Sequence, residues 1–124
     1  GGTPEDRETG YFVEPTILTD VTNDMTVARE EIFGPVLSVI SVEDENEALE
    51  VANDSPFGLT ACVWTNDLSR AHRMADRLDY GMVLVNGAQG NTIGGSERSG
   101  HGRAQGEEAI ESYTEVKNVT INLD

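Results

Sequence analysis

Three short apolar runs, separated by two helical patterns, most constrain how this chain can fold. The runs cover residues 36–42, 59–64 and 82–85 and are rich in valine, a β-branched residue that favours strands. Near-continuous apolar runs of this length are typical of strands that are buried on both faces. Because a helical pattern lies between each pair of runs, the sequence predicts an α/β fold with an open, mainly parallel sheet and flanking helices.

Each helical pattern has its own start or stop signal. Between the first two runs, a helix is predicted from Asp44 to Asn53, with Asp44 as the cap and Glu47 three residues further on, as in a capping box. Between the second and third runs, apolar residues recur at helical spacing from Asn66 to Tyr80, and Gly81 is expected to end that helix. Beyond the third run we predict a glycine-rich passage at 86–106, a short helix around 107–112 and a closing strand at 116–123.

The charge of the chain limits its partners. It has 23 acidic residues against 8 Lys and Arg, and a formal net charge of -15. Such a chain repels phosphate backbones, so nucleic acid is not an expected partner. The acidity favours adaptation to high intracellular salt, where screening weakens self-repulsion, and an ordinary acidic surface is the alternative.

Cysteine, histidine and hydropathy exclude other kinds of site. The chain has one cysteine, Cys62, so an intrachain disulfide is excluded, as is typical of the cytoplasm. No apolar run approaches the roughly 20 residues that cross a bilayer, so we expect a cytoplasmic protein without membrane contact. Cys62 lies within a predicted strand and has no neighbouring His or Lys to activate it, which indicates a buried structural residue. His72 and His101 are isolated, so no metal site is predicted.

Several motifs occur in one order along the chain, and together they resemble the C-terminal part of the NAD(P)-dependent aldehyde dehydrogenases. The motifs are Gly10–Thr16, Ala28–Pro35, Phe57–Ala61, Gly94–Gly95, Ser99–Arg103 and Tyr113–Lys117. The resemblance implies that residues 1–113 form the C-terminal part of the catalytic domain. It also implies that residues 114–124 contain an oligomerisation strand and the tail.

The resemblance assigns cofactor contacts to two residues. From the residues alone, Glu31 fits a helix-end carboxylate and Phe33 fits a core residue. In the family that they resemble, the matching glutamate accepts hydrogen bonds from the nicotinamide ribose hydroxyls, and the phenylalanine packs near the nicotinamide ring. Glu30 is then a structural residue, and Gly34 and Pro35 set the turn that aims both side chains.

A third position is a substrate-pocket candidate. Many members of the family have an aromatic residue just before the glycine pair that matches Gly94–Gly95, and that residue often lines the aldehyde tunnel. This chain has Ile93 there, after a short segment from Gly87 to Thr92. If Ile93 lines the tunnel, the pocket lacks a stacking wall, which disfavours aromatic aldehydes.

By resemblance, the parent reaction oxidises an aldehyde to a carboxylic acid with NAD or NADP, in a homo-oligomer. The family's nucleophilic cysteine, glutamate base, oxyanion asparagine and dinucleotide-binding unit have no match in these 124 residues. We therefore expect no catalytic residue here, no tight cofactor binding and no activity of this chain alone. The alternative is a non-catalytic module or gene remnant that binds a complementary subunit.

Overall fold

Short strands alternate with helices along the chain in the computed structural model, which describes residues 1–6, 9–87 and 92–123. The chain divides into two compact units, residues 1–55 (unit 1) and 56–124 (unit 2). The strands are β1 Thr16–Leu18, β2 Val36–Ser38, β3 Thr60–Val63, β4 Met82–Val85, β5 Ile93–Gly94 and β6 Arg103–Ala104. The helices are α1 Thr26–Arg29, α2 Glu45–Asn53, α3 Leu68–Arg77 and a 3-10 helix, Glu107–Tyr113.

Unit 1 is built on a parallel pair of strands. β1 and β2 pair in the register Thr16↔Val36 to Leu18↔Ser38, and the Val39 N–H donates to the Leu18 carbonyl at 2.9 Å. Leu49 of α2 is 2% exposed and supplies the buried side chain of that helix. The strand β1 was not predicted, because three residues are too few to show a strand pattern.

The predicted start of α2 is confirmed. The Asp44 carboxylate accepts hydrogen bonds from the backbone N–H groups of Asn46 at 2.8 Å and Glu47 at 3.0 Å. The Glu47 carboxylate in turn accepts from the Glu43 N–H. These bonds satisfy donors that the first turn of a helix otherwise leaves unpaired.

We expect Asp44→Ala to destabilise unit 1 by about 1 kcal/mol, since alanine cannot accept the two capping hydrogen bonds. Urea unfolding of the chain followed by circular dichroism measures this change. The matched variant Asp44→Asn keeps an acceptor oxygen and should unfold at nearly the wild-type urea concentration. Equal losses for the two variants would contradict the capping role.

Unit 2 contains the second parallel pair, which was predicted. β3 and β4 pair from Thr60↔Met82 to Val63↔Val85, and α3 packs against both strands with Ala71 and Leu78 buried. The side-chain amide of Asn86 continues the ladder, because it accepts from the Thr65 N–H at 2.9 Å and donates to the Thr65 carbonyl at 2.8 Å.

The bounds of α3 correct the prediction at both ends. The helix begins after Asp67, whose carboxylate accepts from the Arg70 N–H at 3.1 Å, and it ends at Arg77. That hydrogen bond holds the pKa of Asp67 below its usual range. Gly81 does not end the helix: its N–H donates to the Gly58 carbonyl at 2.9 Å, and a Cβ there would lie 1.9 Å from the Gly94 carbonyl oxygen. Gly81 is required for close backbone approach.

The expectation that the strands are buried on both faces is wrong for this chain. Burial alternates along β2 and β3, which lie in the first two predicted runs, and Leu37 of β2 is 59% exposed. Its partner in β1, Ile17, is 68% exposed. Over the described residues, the ladders form three two-stranded sheets, two parallel and one antiparallel. The α/β class and the parallel pairing are confirmed, while a wider open sheet is not seen there.

The C-terminal residues match the prediction only in part. The short helix is present as a 3-10 helix, and within the glycine-rich passage β5 pairs with β6 antiparallel, a ladder that the sequence does not predict. Residues 116–123 form no ladder with any part of the chain that is described, so the closing strand is not formed there. A strand needs a partner, and the side chains of Val116, Ile121 and Leu123 are exposed.

No helix in the ranges 1–6, 9–87 and 92–123 is long and apolar enough to span a bilayer. Within the same ranges, no group of three or more His, Cys, Asp or Glu side chains is placed to hold a metal ion.

Candidate functional site

A recess in unit 1 brings together the two predicted cofactor contacts. Its volume is about 280 Å³, and both Glu31 and Phe33 line it. The other lining residues come from α1, β2 and the segment between them: Val27, Glu30, Ile32, Gly34, Val36 and Ser38. The Ser38 hydroxyl donates to the Val27 carbonyl at 3.1 Å, which ties β2 to α1 beside the recess.

Phe33 has an unusual conformation for an aromatic residue. Its φ is 53°, in the left-handed region that non-glycine residues rarely adopt, and its side chain is 90% exposed. A bulky residue held there costs about 1–3 kcal/mol, and such residues cluster at ligand-binding sites. The core position that the residues alone suggest for Phe33 is therefore wrong for this chain, and the exposed ring is free to pack against a ligand. Its assignment as a cofactor contact stays a prediction.

A tight turn follows Phe33. The Val36 N–H donates to the Gly34 carbonyl at 2.7 Å, which closes a three-residue turn around Pro35. The Pro35 carbonyl accepts from the Thr16 N–H at 2.8 Å, so the turn is fixed to the start of β1. The predicted turn at Gly34 and Pro35 is confirmed.

A polar network that the sequence did not predict lies at the other end of the segment. Arg29 ends α1 and forms an ion pair with the carboxylate of Asp54 at 3.1 Å, and its guanidinium also donates to the Asp54 carbonyl. The Asn23 amide donates to the same carbonyl at 3.1 Å and to the same carboxylate at 2.8 Å. Arg29 lies within the Ala28–Pro35 motif, whereas nothing in the sequence links it to a residue 25 positions away.

The recess offers two kinds of contact to a ligand. Glu31 is exposed, and an ionised carboxylate can accept hydrogen bonds from two neighbouring hydroxyls. Phe33 presents an aromatic face that can pack against a planar ring. These two groups suit a sugar diol joined to a planar heterocycle, and the residues that line the recess include no thiol.

Cys62 lies in unit 2 and is exposed, so the expectation of a buried cysteine is wrong. Its thiol donates to the Gly87 carbonyl at 2.9 Å. A thiolate, which is the nucleophilic form, could not donate this bond. This hydrogen bond agrees with the prediction that Cys62 is a structural residue and not a nucleophile.

Ile93 also lies in unit 2, where it begins β5 and pairs with Ala104. It is not among the residues that line the recess. The Arg103 guanidinium beside it donates to the Gly95 carbonyl at 3.0 Å and to the Gly102 carbonyl at 3.0 Å. Residues 88–91 of the short segment before Ile93 lie outside the described residues.

Comparison with known proteins gives a consistent result. The model of the aldehyde dehydrogenase family matches residues 1–119. The chain is 47% identical over 128 residues to a betaine aldehyde dehydrogenase of Rhizobium leguminosarum bv. trifolii, which covers 99% of this chain and 26% of that protein. It is 49% identical over 124 residues to the peroxisomal aminoaldehyde dehydrogenase 1 of Pisum sativum, covering 97% of this chain and 25% of that protein.

Among solved structures, the NAD+ complex of the aldehyde dehydrogenase from Bacillus cereus superposes with a TM-score of 0.90 at 42% identity. The match covers 99% of this chain and 26% of that one. The chain thus spans about a quarter of the length of the proteins that it matches.

Proposed function

The chain belongs to the aldehyde dehydrogenase family, and we propose that it supplies the nicotinamide-contacting part of an enzyme that oxidises an aldehyde to a carboxylic acid with NAD or NADP. One observation carries the proposal: Glu31 and Phe33, the two residues expected to contact the cofactor, line the same recess. The NAD+ complexes among the similar structures support the choice of a nicotinamide cofactor.

The residues of the recess fit the nicotinamide riboside by their chemistry. The Glu31 carboxylate would accept from the two ribose hydroxyls, and the Phe33 ring would pack beside the nicotinamide. NAD(P)+ held by Glu31 and Phe33 would supply the hydride acceptor for the oxidation. The role of this chain is then to orient the ring, and orientation alone can supply several kcal/mol of the barrier reduction.

We propose that the 124-residue chain is inactive alone. Its one cysteine is a hydrogen-bond donor within β3, and neither Glu31 nor Phe33 can form the covalent intermediate that the family's chemistry requires. The exposed apolar pair Ile17 and Leu37 supports this view, because such a face is stabilised by packing against more protein. The alternative is a non-catalytic module or gene remnant that binds a complementary subunit.

Finer parts of the proposal concern partners and surroundings. We propose residues 1–113 as part of the catalytic domain and 114–124 as the oligomerisation strand and tail, since exposed backbone without a partner favours pairing with another chain. We further propose that Ile93 lines the aldehyde pocket and that the assembly is a homo-oligomer. The net charge of -15 is proposed to be an adaptation to a cytoplasm with a high salt concentration.

A chimera tests the proposed function. The quarter of the Bacillus cereus aldehyde dehydrogenase that matches this chain is replaced by these 124 residues, and NADH formation from an aliphatic aldehyde is followed at 340 nm in molar KCl. We expect the chimera to form NADH and the 124-residue chain alone to form none. The Bacillus cereus protein without that quarter is the matched control and should be inactive.

Two outcomes contradict the proposal. A folded chimera that binds no NAD+ in calorimetry would show that this chain does not make a cofactor site and would favour the non-catalytic module. Aldehyde oxidation by the isolated chain would show that the chain carries its own catalytic residues.

A further inference from the structure

The segment from Glu30 to Pro35, here called the recess loop, is anchored at both ends. At its C-terminal end, the Pro35 carbonyl accepts from the Thr16 N–H, and the Val36 N–H closes the turn onto Gly34. At its N-terminal end, the Glu30 N–H donates to the Thr26 carbonyl at 2.9 Å, which makes α1 the support of the loop. The position of Glu31 therefore depends on what holds α1.

Three polar side chains hold α1 to the end of α2: those of Arg29, Asn23 and Asp54. Asp54 is the C-terminal cap of α2, and its carboxylate and carbonyl both receive hydrogen bonds from the side chains of Arg29 and Asn23. The two donors come from either side of α1, since Asn23 precedes the helix and Arg29 ends it. A single turn of helix has little stability of its own, so these bonds fix its position.

The charge of Arg29 also suits its place. α2 has no basic residue in its own last turn, and the C-terminal end of a helix carries partial negative charge. Arg29 brings a cation to that end from the preceding helix. The planar guanidinium can donate to the carboxylate and the carbonyl together, which a lysine ammonium does with less geometric constraint.

Because the Arg29–Asp54 ion pair is partly exposed to solvent, it can position α1 without contributing much to the stability of the fold. The side chains of Arg29 and Asp54 are 39% and 67% exposed, and ion pairs of this kind contribute little to folding stability. Their loss should therefore leave the fold in place. What changes is the freedom of α1 and of the loop that follows it.

We propose that Arg29 is a positioning residue for the nicotinamide contacts: through Asp54, which Asn23 also binds, it fixes the end of α1, and thereby the place of Glu31 and Phe33 in the recess. The inference rests on the proposed function. Arg29 itself contacts neither residue through a hydrogen bond in the described part of the chain and acts only through the backbone that joins them. Small displacements of a binding group are enough to reduce the rate severely.

The test uses Arg29→Gln in the chimera with the Bacillus cereus enzyme. We expect the Kd for NAD+, measured by calorimetry, to rise about tenfold, with the KM for aldehyde unchanged. Hydrogen exchange of the peptide that covers residues 30–36, measured without cofactor, should become faster. Arg77→Gln, at the end of α3 in unit 2, changes the net charge equally and should alter neither quantity.

A double-mutant cycle separates positioning from stability. If Arg29 acts through Glu31, Arg29→Gln should raise the Kd less than twofold when Glu31 is already Gln, because the contact that it positions is gone. An equal rise in both backgrounds would overturn the inference. Should Arg29→Gln not fold, Asp54→Ala removes the carboxylate that pairs with Arg29 and leaves Arg29 itself in place, and unchanged exchange of residues 30–36 in that variant would overturn the inference as well.

The two proposals fail in different ways. A wild-type chimera that binds no NAD+ contradicts the proposed function, and the exchange of residues 30–36 in Arg29→Gln then still decides whether Arg29 orders the recess loop. A chimera that binds NAD+ equally well with Arg29 and with Gln at that position contradicts only the positioning role.

Discussion

Gly81→Ala should unfold unit 2. A Cβ on Gly81 would lie 1.9 Å from the Gly94 carbonyl oxygen and 2.8 Å from the Gly95 Cα, and both are backbone atoms that no side-chain rotation can move. The Gly81 N–H is also bonded to the Gly58 carbonyl, so the residue cannot shift without losing that bond. We expect a loss of about 3 kcal/mol or more, a large share of the stability of a small domain.

Urea unfolding followed by circular dichroism measures the loss. Gly102→Ala is the matched control, because a Cβ there meets no heavy atom of the described residues within 4 Å, and the variant should stay within about 0.5 kcal/mol of the wild type. If Gly81→Ala unfolds at the wild-type urea concentration, the close approach of the two glycine segments is not part of the folded state.

Gly81 also shows where local sequence reasoning reaches its limit. A glycine after a helical pattern has the same appearance whether it ends the helix or makes room for another segment. Which of the two roles Gly81 has depends on the position of Gly94, which lies 13 residues further along the chain. The start of α2 could be predicted because the residues that cap it, Asp44 and Glu47, are within one turn of each other.

In the candidate site, too, residues that are close in the sequence could be predicted, and contacts between distant residues could not. Glu31 and Phe33 could be found because they lie in one short motif that resembles a known family. The ion pair that holds their loop could not be found, since Arg29 and Asp54 are 25 residues apart in the sequence and are brought together only by the fold of unit 1. The exposure of Phe33 was also not predictable, because an apolar residue in a small domain is usually buried.

Glu31→Gln in the chimera should weaken NAD+ binding by about 10–100-fold. The substitution keeps the size of the side chain and removes its charge, so the amide offers one acceptor oxygen where the carboxylate offered two. Hydrogen bonds to a charged group each contribute about 1.5–3 kcal/mol, and 1.4 kcal/mol corresponds to a tenfold change in Kd. Calorimetric titration with NAD+ measures the change, and the KM for aldehyde should stay near the wild-type value.

Glu30→Gln provides the matched control, since the two glutamates are neighbours and both line the recess. Glu30 caps α1 through its backbone N–H, a contact that the substitution leaves intact, so its Kd for NAD+ should change less than about threefold. Equal losses at both positions would mean that the negative charge of the recess as a whole matters and that Glu31 makes no specific hydrogen bonds to the ribose. A loss at Glu31 alone requires a directed contact, because long-range electrostatics cannot distinguish two adjacent exposed carboxylates in molar salt.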